Sequence, residues 1–292
     1  MIKKDDGSIE ITFPKVANIK PMHMEKNRRK QVDEKLTPAE ISGLRSILGE
    51  LQWPCREGFP GFCYDVSDLQ QRVPEATVST VARANAVLKS LQTRSAKVAL
   101  RFPRGDGSGR IVVGLSTDAS FDRQPRGGSQ QGIVLFIGDR RLVFDKRAPV
   151  SMVGWQSNRI RRVVKSTLAA EACALSSGYD QAICLRVLLS RLLGVGYPDR
   201  PWHDEALDVP QVTWSDCNSL IEMLAREGAM STERRIALDV YDVQQYAEDD
   251  DVLWCPTGRQ IADCLTKHFS PTDANPLQPM LDSGYFQAQP DG

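Results

Sequence analysis

Residues 111–119 read I-V-V-G-L-S-T-D-A, an apolar run, β-branched at its start, that stops on Asp118. Such a run makes a buried strand, and an ionised carboxylate at its end is costly unless something compensates it. Three more acids sit in similarly uncharged stretches: Glu171 in L-A-A-E-A-C-A-L, Asp216 in V-T-W-S-D-C-N-S and Asp263 in Q-I-A-D-C-L-T-K. Such a chain must either partner each carboxylate separately or bring them together around a shared cation.

The pattern around these acids is that of an α/β domain. Residues 111–117 form a first strand and 131–137 a second, and G-D-R-R is a tight turn into a third at 142–145. Residues 154–165, G-W-Q-S-N-R-I-R-R-V-V-K, read as a basic loop. A long helix follows over about 167–193, stopped by Gly194 and Gly196. After a Pro- and acid-rich loop come a strand at 212–215 and a helix capped by Asn218 or Ser219. A helix at 233–248, a short strand at 252–255 and a last helix at 258–267 complete it. Three consecutive strands followed by helix–strand alternation describe a mixed sheet flanked by helices.

Upstream, Thr37, Pro38 and Glu40 make a capping box with proline at the first helical position. Ile41, Leu44, Ile47, Leu48 and Leu51 then recur at helical spacing. Two further helices, at 63–73 and 76–91, follow the break E-G-F-P-G-F. Residues 1–35 are polar, with one short strand at 8–13 and a solvated charge run at 26–35. P-R-G-D-G-S-G-R marks a linker. The organisation expected is a polar segment (1–36), a small helical unit (37–100), the α/β domain (101–270) and a tail (271–292).

On these elements, Asp118 and Asp216 fall at the carboxyl ends of strands, the edge where open α/β sheets bind ligands. Glu171 shares a helix face with Leu168 and Leu175 and points at the sheet. Asp263 lies among Ile261, Ala262 and Leu265. Taken singly, Asp216 is also readable as a helix cap and Asp118 as a turn start. Taken together, converging carboxylates raise one another's pKa, and a divalent cation removes the repulsion. Oxygen ligands suit Mg²⁺ or Mn²⁺. Four carboxylates can hold two such ions about 4 Å apart, the arrangement that serves phosphodiester cleavage. Three histidines and seven cysteines without a C-x-x-C pair argue against zinc and for reduced, buried thiols. No apolar run approaches the roughly 20 residues of a membrane span. The N-terminus has no apolar signal core. An intracellular setting, cytoplasmic or nuclear, is expected.

The blocks S-T-D-A-S, S-T-L-A-A-E-A, W-S-D-C-N-S-L and W-C-P-T-G-R-Q-I-A-D-C-L-T-K resemble the ribonuclease H domain of copia-type retrotransposon Pol polyproteins. L-R-S-I-L-G-E-L-Q-W and A-N-A-V-L-K-S-L are similar to the segment after the reverse-transcriptase palm in the same polyproteins. The resemblance implies a ribonuclease H-like five-stranded mixed sheet flanked by helices and preceded by a small helical unit. It implies cleavage of the RNA strand of RNA–DNA hybrids with two Mg²⁺ ions, Mn²⁺ being the alternative. Asp118, Glu171, Asp216 and Asp263 fall on the family's catalytic, metal-binding acids. The hybrid is then the partner, and the polymerase part of the same polyprotein is a second one. No small-molecule cofactor or membrane is implied. The chain departs from the family at E-R-R-I-A-L-D, where a Lys-His-Ile-Asp block is usual, at P-C-R-E-G-F-P-G-F, and in having no Y-x-D-D polymerase motif.

Lys plus Arg equals Asp plus Glu at 37 each, so a polyanionic partner must be met by a local patch. Arg159, Arg161, Arg162 and Lys165, with Trp155 and Asn158 nearby, are the densest such cluster in the α/β region. They are the expected contacts to the hybrid backbone; the plainer reading is a solvated loop. A catalytically silent remnant of the fold that binds nucleic acid or protein, and another nuclease of the same broad fold, are the alternatives.

Overall fold

The computed structural model describes residues 1–105, 111–124, 128–144, 146–196, 199–226, 234–247, 251–269 and 275–288. The elements in order are β1 (Ile2–Lys3), β2 (Ile9–Ile11), α1 (Pro38–Glu57), α2 (Cys63–Arg72), α3 (Val78–Ser95) and β3 (Leu100–Phe102). β4 (Ile111–Gln124), β5 (Gly128–Asp139), β6 (Ala148–Arg159), α4 (Thr167–Leu192), α5 (Trp202–Leu207) and β7 (Gln211–Ser215) follow. α6 (Asn218–Leu224), α7 (Arg234–Tyr246), β8 (Asp251–Trp254), α8 (Leu277–Ser283) and β9 (Tyr285–Phe286) close the chain.

The main sheet has the order β8-β7-β4-β5-β6-β9. β4, β5 and β6 form an antiparallel meander, and β7 and β8 add in parallel beside β4. This is the expected mixed sheet, with one addition. β9, from the segment read as a tail, pairs with Ala148 and Pro149 and makes a sixth strand. Its Phe286 meets Trp214 edge to face at 5.2 Å, and that indole stacks on Phe136 at 5.7 Å. Aromatic packing thus ties the chain's end to the sheet.

Alternation along the strands feeds two cores. Val112, Val134, Phe136 and Trp214 share one with Leu44, Leu48 and Leu51 of α1 and Leu88 and Leu91 of α3. Val113, Leu115, Ile133 and Leu135 share the other with Leu175 and Tyr179 of α4 and Val240 of α7. The helical unit therefore covers one face of the sheet, and α4, α6 and α7 cover the other. The capping box forms as read: Thr37 accepts from the Glu40 N–H at 3.3 Å, and the Thr37 N–H donates to Glu40 at 2.8 Å. Residues 1–35 are more ordered than their polarity suggested. β1, β2 and β3 form a small antiparallel sheet, and Val16 and Met24 are buried in the first core.

Three local readings are corrected. Residues 142–144 are not a strand (residue 145 lies outside the described residues): Arg140–Phe144 is a 3-10 turn, and the third strand is β6. The residues read as a basic loop therefore belong to that strand as far as Arg159. Its apolar alternation (Ala148, Val150, Met152) gives way to W-Q-S-N-R after a bulge opposite Leu135/Phe136, which hid the strand. The last helix is instead two 3-10 turns, Thr257–Arg259 and Ile261–Leu265. The end of the expected linker turn (residues 106–110) and both ends of the expected 233–248 helix (residues 233 and 248) lie outside the described residues.

Candidate metal centre

Asp118 is not at a strand end, as the sequence suggested. β4 runs on to Gln124, and Asp118 stands mid-strand opposite Gly132 of β5. The parallel neighbour explains its place. Ser116 aligns with Trp214, so two residues further along, where β7 has ended, Asp118 and Asp216 come side by side. α4 lies across this point. A Cβ on Gly178 would stand 2.7 Å from Thr117 Cγ2 and 3.0 Å from Leu115 Cδ1, so only glycine lets the helix approach β4 this closely. Glu171, two turns earlier on that face, is thereby pressed to the sheet, where the Ala119 N–H donates to it.

Asp118, Glu171 and Asp216 each offer an oxygen within 4.8 Å of the others. Asp118 and Glu171 are buried. Burial first, then repulsion from Asp263 and Asp216, pushes Asp118 up to about 7, although Lys267 and the Thr266 hydroxyl that donates to it pull the other way. Burial, then Asp118 and Asp216, pushes Glu171 up to about 9. The Glu171 Oε2 atom is buried without a hydrogen-bond partner.

The structure places Asp263 outside this trio. It lies close enough to Asp118 to repel it, and its Oδ1 accepts from Lys267 Nζ at 2.6 Å. Burial raises its pKa, against the pull of Lys267. Lys267 itself is held above its ordinary value: burial opposes the charge, but Asp118 and Asp263 outweigh it. Lys267 and Thr266 stand in the A-D-C-L-T-K block, where the sequence alone assigns them no role. The only sequence signal for the lysine was its spacing of four from Asp263.

Two buried glutamines hold this turn. At its start, Gln260 donates to the Thr117 carbonyl at 3.0 Å and accepts from Ser116. At its end, Ser157 donates to the Leu265 carbonyl at 2.6 Å, and Gln130 donates to Ser157 at 2.9 Å. Gln130 also donates to Ser67 of α2 at 3.0 Å and accepts from Gln71 at 3.1 Å. The turn lies against β5 because position 132 is glycine; a Cβ there would stand 2.7 Å from the Ala262 carbonyl oxygen. A polar chain thus runs from the helical unit to the turn that carries Asp263. Sequence reading missed it because an isolated glutamine in an apolar strand gives no sign of its partners. Gln130→Ala is expected to leave Ser157 and Gln71 short of partners and to cost about 1–3 kcal/mol, read as a lower urea midpoint.

Of the four basic residues, Arg159 ends β6, and Arg161 and Lys165 are exposed beyond it. Arg162 pairs with Asp239 of α7 and so is not a free cation. The nearest histidine in sequence, His268, pairs with Asp65 of α2 at 2.6 Å. Its Asp65 partner is raised by burial, which His268 partly offsets.

These residues fit a hard divalent cation. The donors are all carboxylate oxygens, one is buried and unpartnered, and the cluster otherwise takes up protons to relieve its own repulsion.

No family model matches the chain, and no curated protein matches it. Among solved structures, an N-terminal RNase H domain from Mycobacterium tuberculosis, fused to maltose binding protein, is similar at 16% identity and TM-score 0.36. That likeness covers 60% of this chain and 96% of that one. RNase H1 from Halobacterium salinarum is similar at 17% identity and TM-score 0.34, over 52% and 92%. The foamy viral protease-reverse transcriptase, in complex with RNA/DNA hybrid, is similar at 12% identity and TM-score 0.40, over 80% and 27%. Among the described residues, no helix is long and apolar enough to cross a membrane.

Proposed function

We propose that this chain is a metal-dependent ribonuclease H that cleaves the RNA strand of RNA–DNA hybrids. We further propose that it is part of, or derived from, a copia-type Pol polyprotein. The observation that carries the reading is the convergence of Asp118, Glu171 and Asp216 with a buried, unpartnered Glu171 oxygen. Asp118, Glu171 and Asp216 would hold one Mg²⁺, and Asp118 with Asp263 a second. When bound, the ions supply an activated water and charge for the departing oxygen. The protein's own part is to exclude solvent on the sheet side, to fix the acids through Gln260 and Thr266, and to keep Lys267 beside Asp263. The sequence blocks around all four acids support the polyprotein origin.

A silent remnant is the second reading. Against it, buried carboxylates that repel one another weaken a scaffold and are readily replaced when no cation is needed. Labelled RNA–DNA hybrid incubated with Mg²⁺ is expected to be nicked in the RNA strand, and excess chelator to stop this. Intact hybrid with Mg²⁺ present, or cutting that persists in chelator, defeats the proposal.

Arg159, Arg161 and Lys165 would hold phosphates beside the acids without reading bases. Arg159→Ala with Arg161→Ala is expected to weaken hybrid binding. The log–log salt slope should fall by roughly 0.9 for each duplex phosphate no longer neutralised. An unchanged slope makes these residues solvated surface. Arg162 is expected to contribute less, because Asp239 already compensates it.

A further inference from the structure

Two clefts, of about 910 Å³ and about 530 Å³, lie along β6 and share Arg56, Gln156 and Asn158. β9 covers only the first two residues of β6; beyond Pro149, no strand among the described residues pairs with its outer edge. The larger cleft is linked to the strand that carries Asp118 through Gln131. Gln131 in its wall stands opposite Ala119, whose N–H holds Glu171. The smaller continues away from the acids, between β6 and the helical unit, with Gln52 and Arg56 of α1 and Gln70 of α2 as its far wall.

Its charge is one-sided. The two linings together contain Arg56, Arg159, Arg161 and Arg162, and a single acid, Asp239, which Arg162 already pairs. Arg56, Arg159 and Arg161 form no ion pair among the described residues. The whole chain has no net charge. Guanidinium groups without an ion pair among the described residues, collected along one groove with amides between them, suit a row of phosphates and sugar hydroxyls.

We propose that this groove is a track for a nucleic-acid strand, and that the helical unit grips the sugar–phosphate backbone beyond the part lying on the acids. The inference rests on the ribonuclease reading for its substrate class and adds a wall that belongs to α1 and α2. Five residues of β6, from Trp155 to Arg159, span about 13 Å at about 3.3 Å per residue, the length of about four nucleotides at 3.4 Å each. The helical unit then contributes affinity as well as covering the sheet.

The test compares wild type with Arg56→Ala/Gln70→Ala by fluorescence anisotropy, in chelator so that nothing is cut. The ligands are hybrids of about 6 and about 18 base pairs, roughly 20 and 60 Å long. Affinity of the variant for the long hybrid is expected to fall about tenfold, with a salt slope lower by roughly 0.9, and to be unchanged for the short one. Arg56→Lys should restore most of the affinity, because holding a phosphate needs the charge. Single-stranded RNA and DNA of the longer length identify which strand occupies the track, by which of them binds the variant more weakly. Arg56 is exposed, so an unchanged thermal midpoint checks the fold. Equal affinity and slope for variant and wild type on every ligand overturn the proposal. Wild type that binds the long hybrid through Arg56 but never cuts it leaves the groove standing and defeats the nuclease reading instead.

Discussion

Asp118→Asn is expected to lower hybrid cleavage at least about 10³-fold while leaving the protein folded. Asp118 is the central member of the cluster: it offers an oxygen within 4.8 Å of Glu171 and Asp216, and Asp263 lies close enough to repel it. Replacing it removes an oxygen ligand that both proposed ions use, and the charge stabilisation they bring is worth several kcal/mol, at about 1.4 kcal/mol per tenfold. The fold should survive because the asparagine amide keeps the shape and still accepts from Thr266, while one repelling charge is gone. The two effects have opposite signs, which separates a chemical role from a structural one. Cleavage should collapse, and the thermal midpoint in chelator at neutral pH should rise or stay level. A variant as active as wild type sinks the assignment of Asp118. A variant that is inactive because it has unfolded leaves the choice to Asp216→Asn, whose side chain is only half-buried.

The large features of the fold could be read because each rests on local rules. The capping box at Thr37, the apolar helix face bearing Glu171 and the strand–strand–strand–helix order all state their period in a few residues. The acids were legible for the same reason, since a charge in an apolar run stands out whatever its partner. What could not be read depends on pairs distant in sequence. Asp118 looks like a strand terminus because polar residues follow it, yet β5 continues to pair there and prolongs β4 to Gln124. β6 looks like a loop because its outer half carries side chains for a groove. The turn that carries Asp263 is held by Gln130, 0% exposed and bonded to residues 27 and 63 positions away. Neither glutamine network has a periodicity to betray it.

The metal-free protein is expected to lose stability as pH rises from about 5 to about 8.5, and Mg²⁺ to restore it. Asp118 and Glu171 have folded-state pKa values raised to about 7 and about 9, from ordinary values near 4. An acid whose folded pKa is raised holds its proton more tightly folded than unfolded. Below about pH 4 both states are protonated and the shift has no effect. Between about 4 and the folded values, unfolding releases the proton, so each unit of rising pH favours the unfolded chain. The window therefore ends near 7 for Asp118 and near 9 for Glu171, and the summed effect is on the order of several kcal/mol. A carboxylate in a simple ion pair behaves the opposite way, since the pair lowers its pKa and its stabilisation fades toward acid. Among the described residues this cluster has Lys267 alone to set against four acids, so the repulsion survives folding. A divalent cation bound to the ionised cluster reverses the sign, since it binds the folded, deprotonated state and stabilises it in proportion to its occupancy. Thermal midpoints in chelator should therefore fall across this range, and added Mg²⁺ should raise them most at the alkaline end. Glu171→Gln should flatten the slope in chelator and blunt the Mg²⁺ response. A midpoint that is level or rising with pH in chelator means the carboxylates are already compensated within the protein, and the case for a cation among them fails.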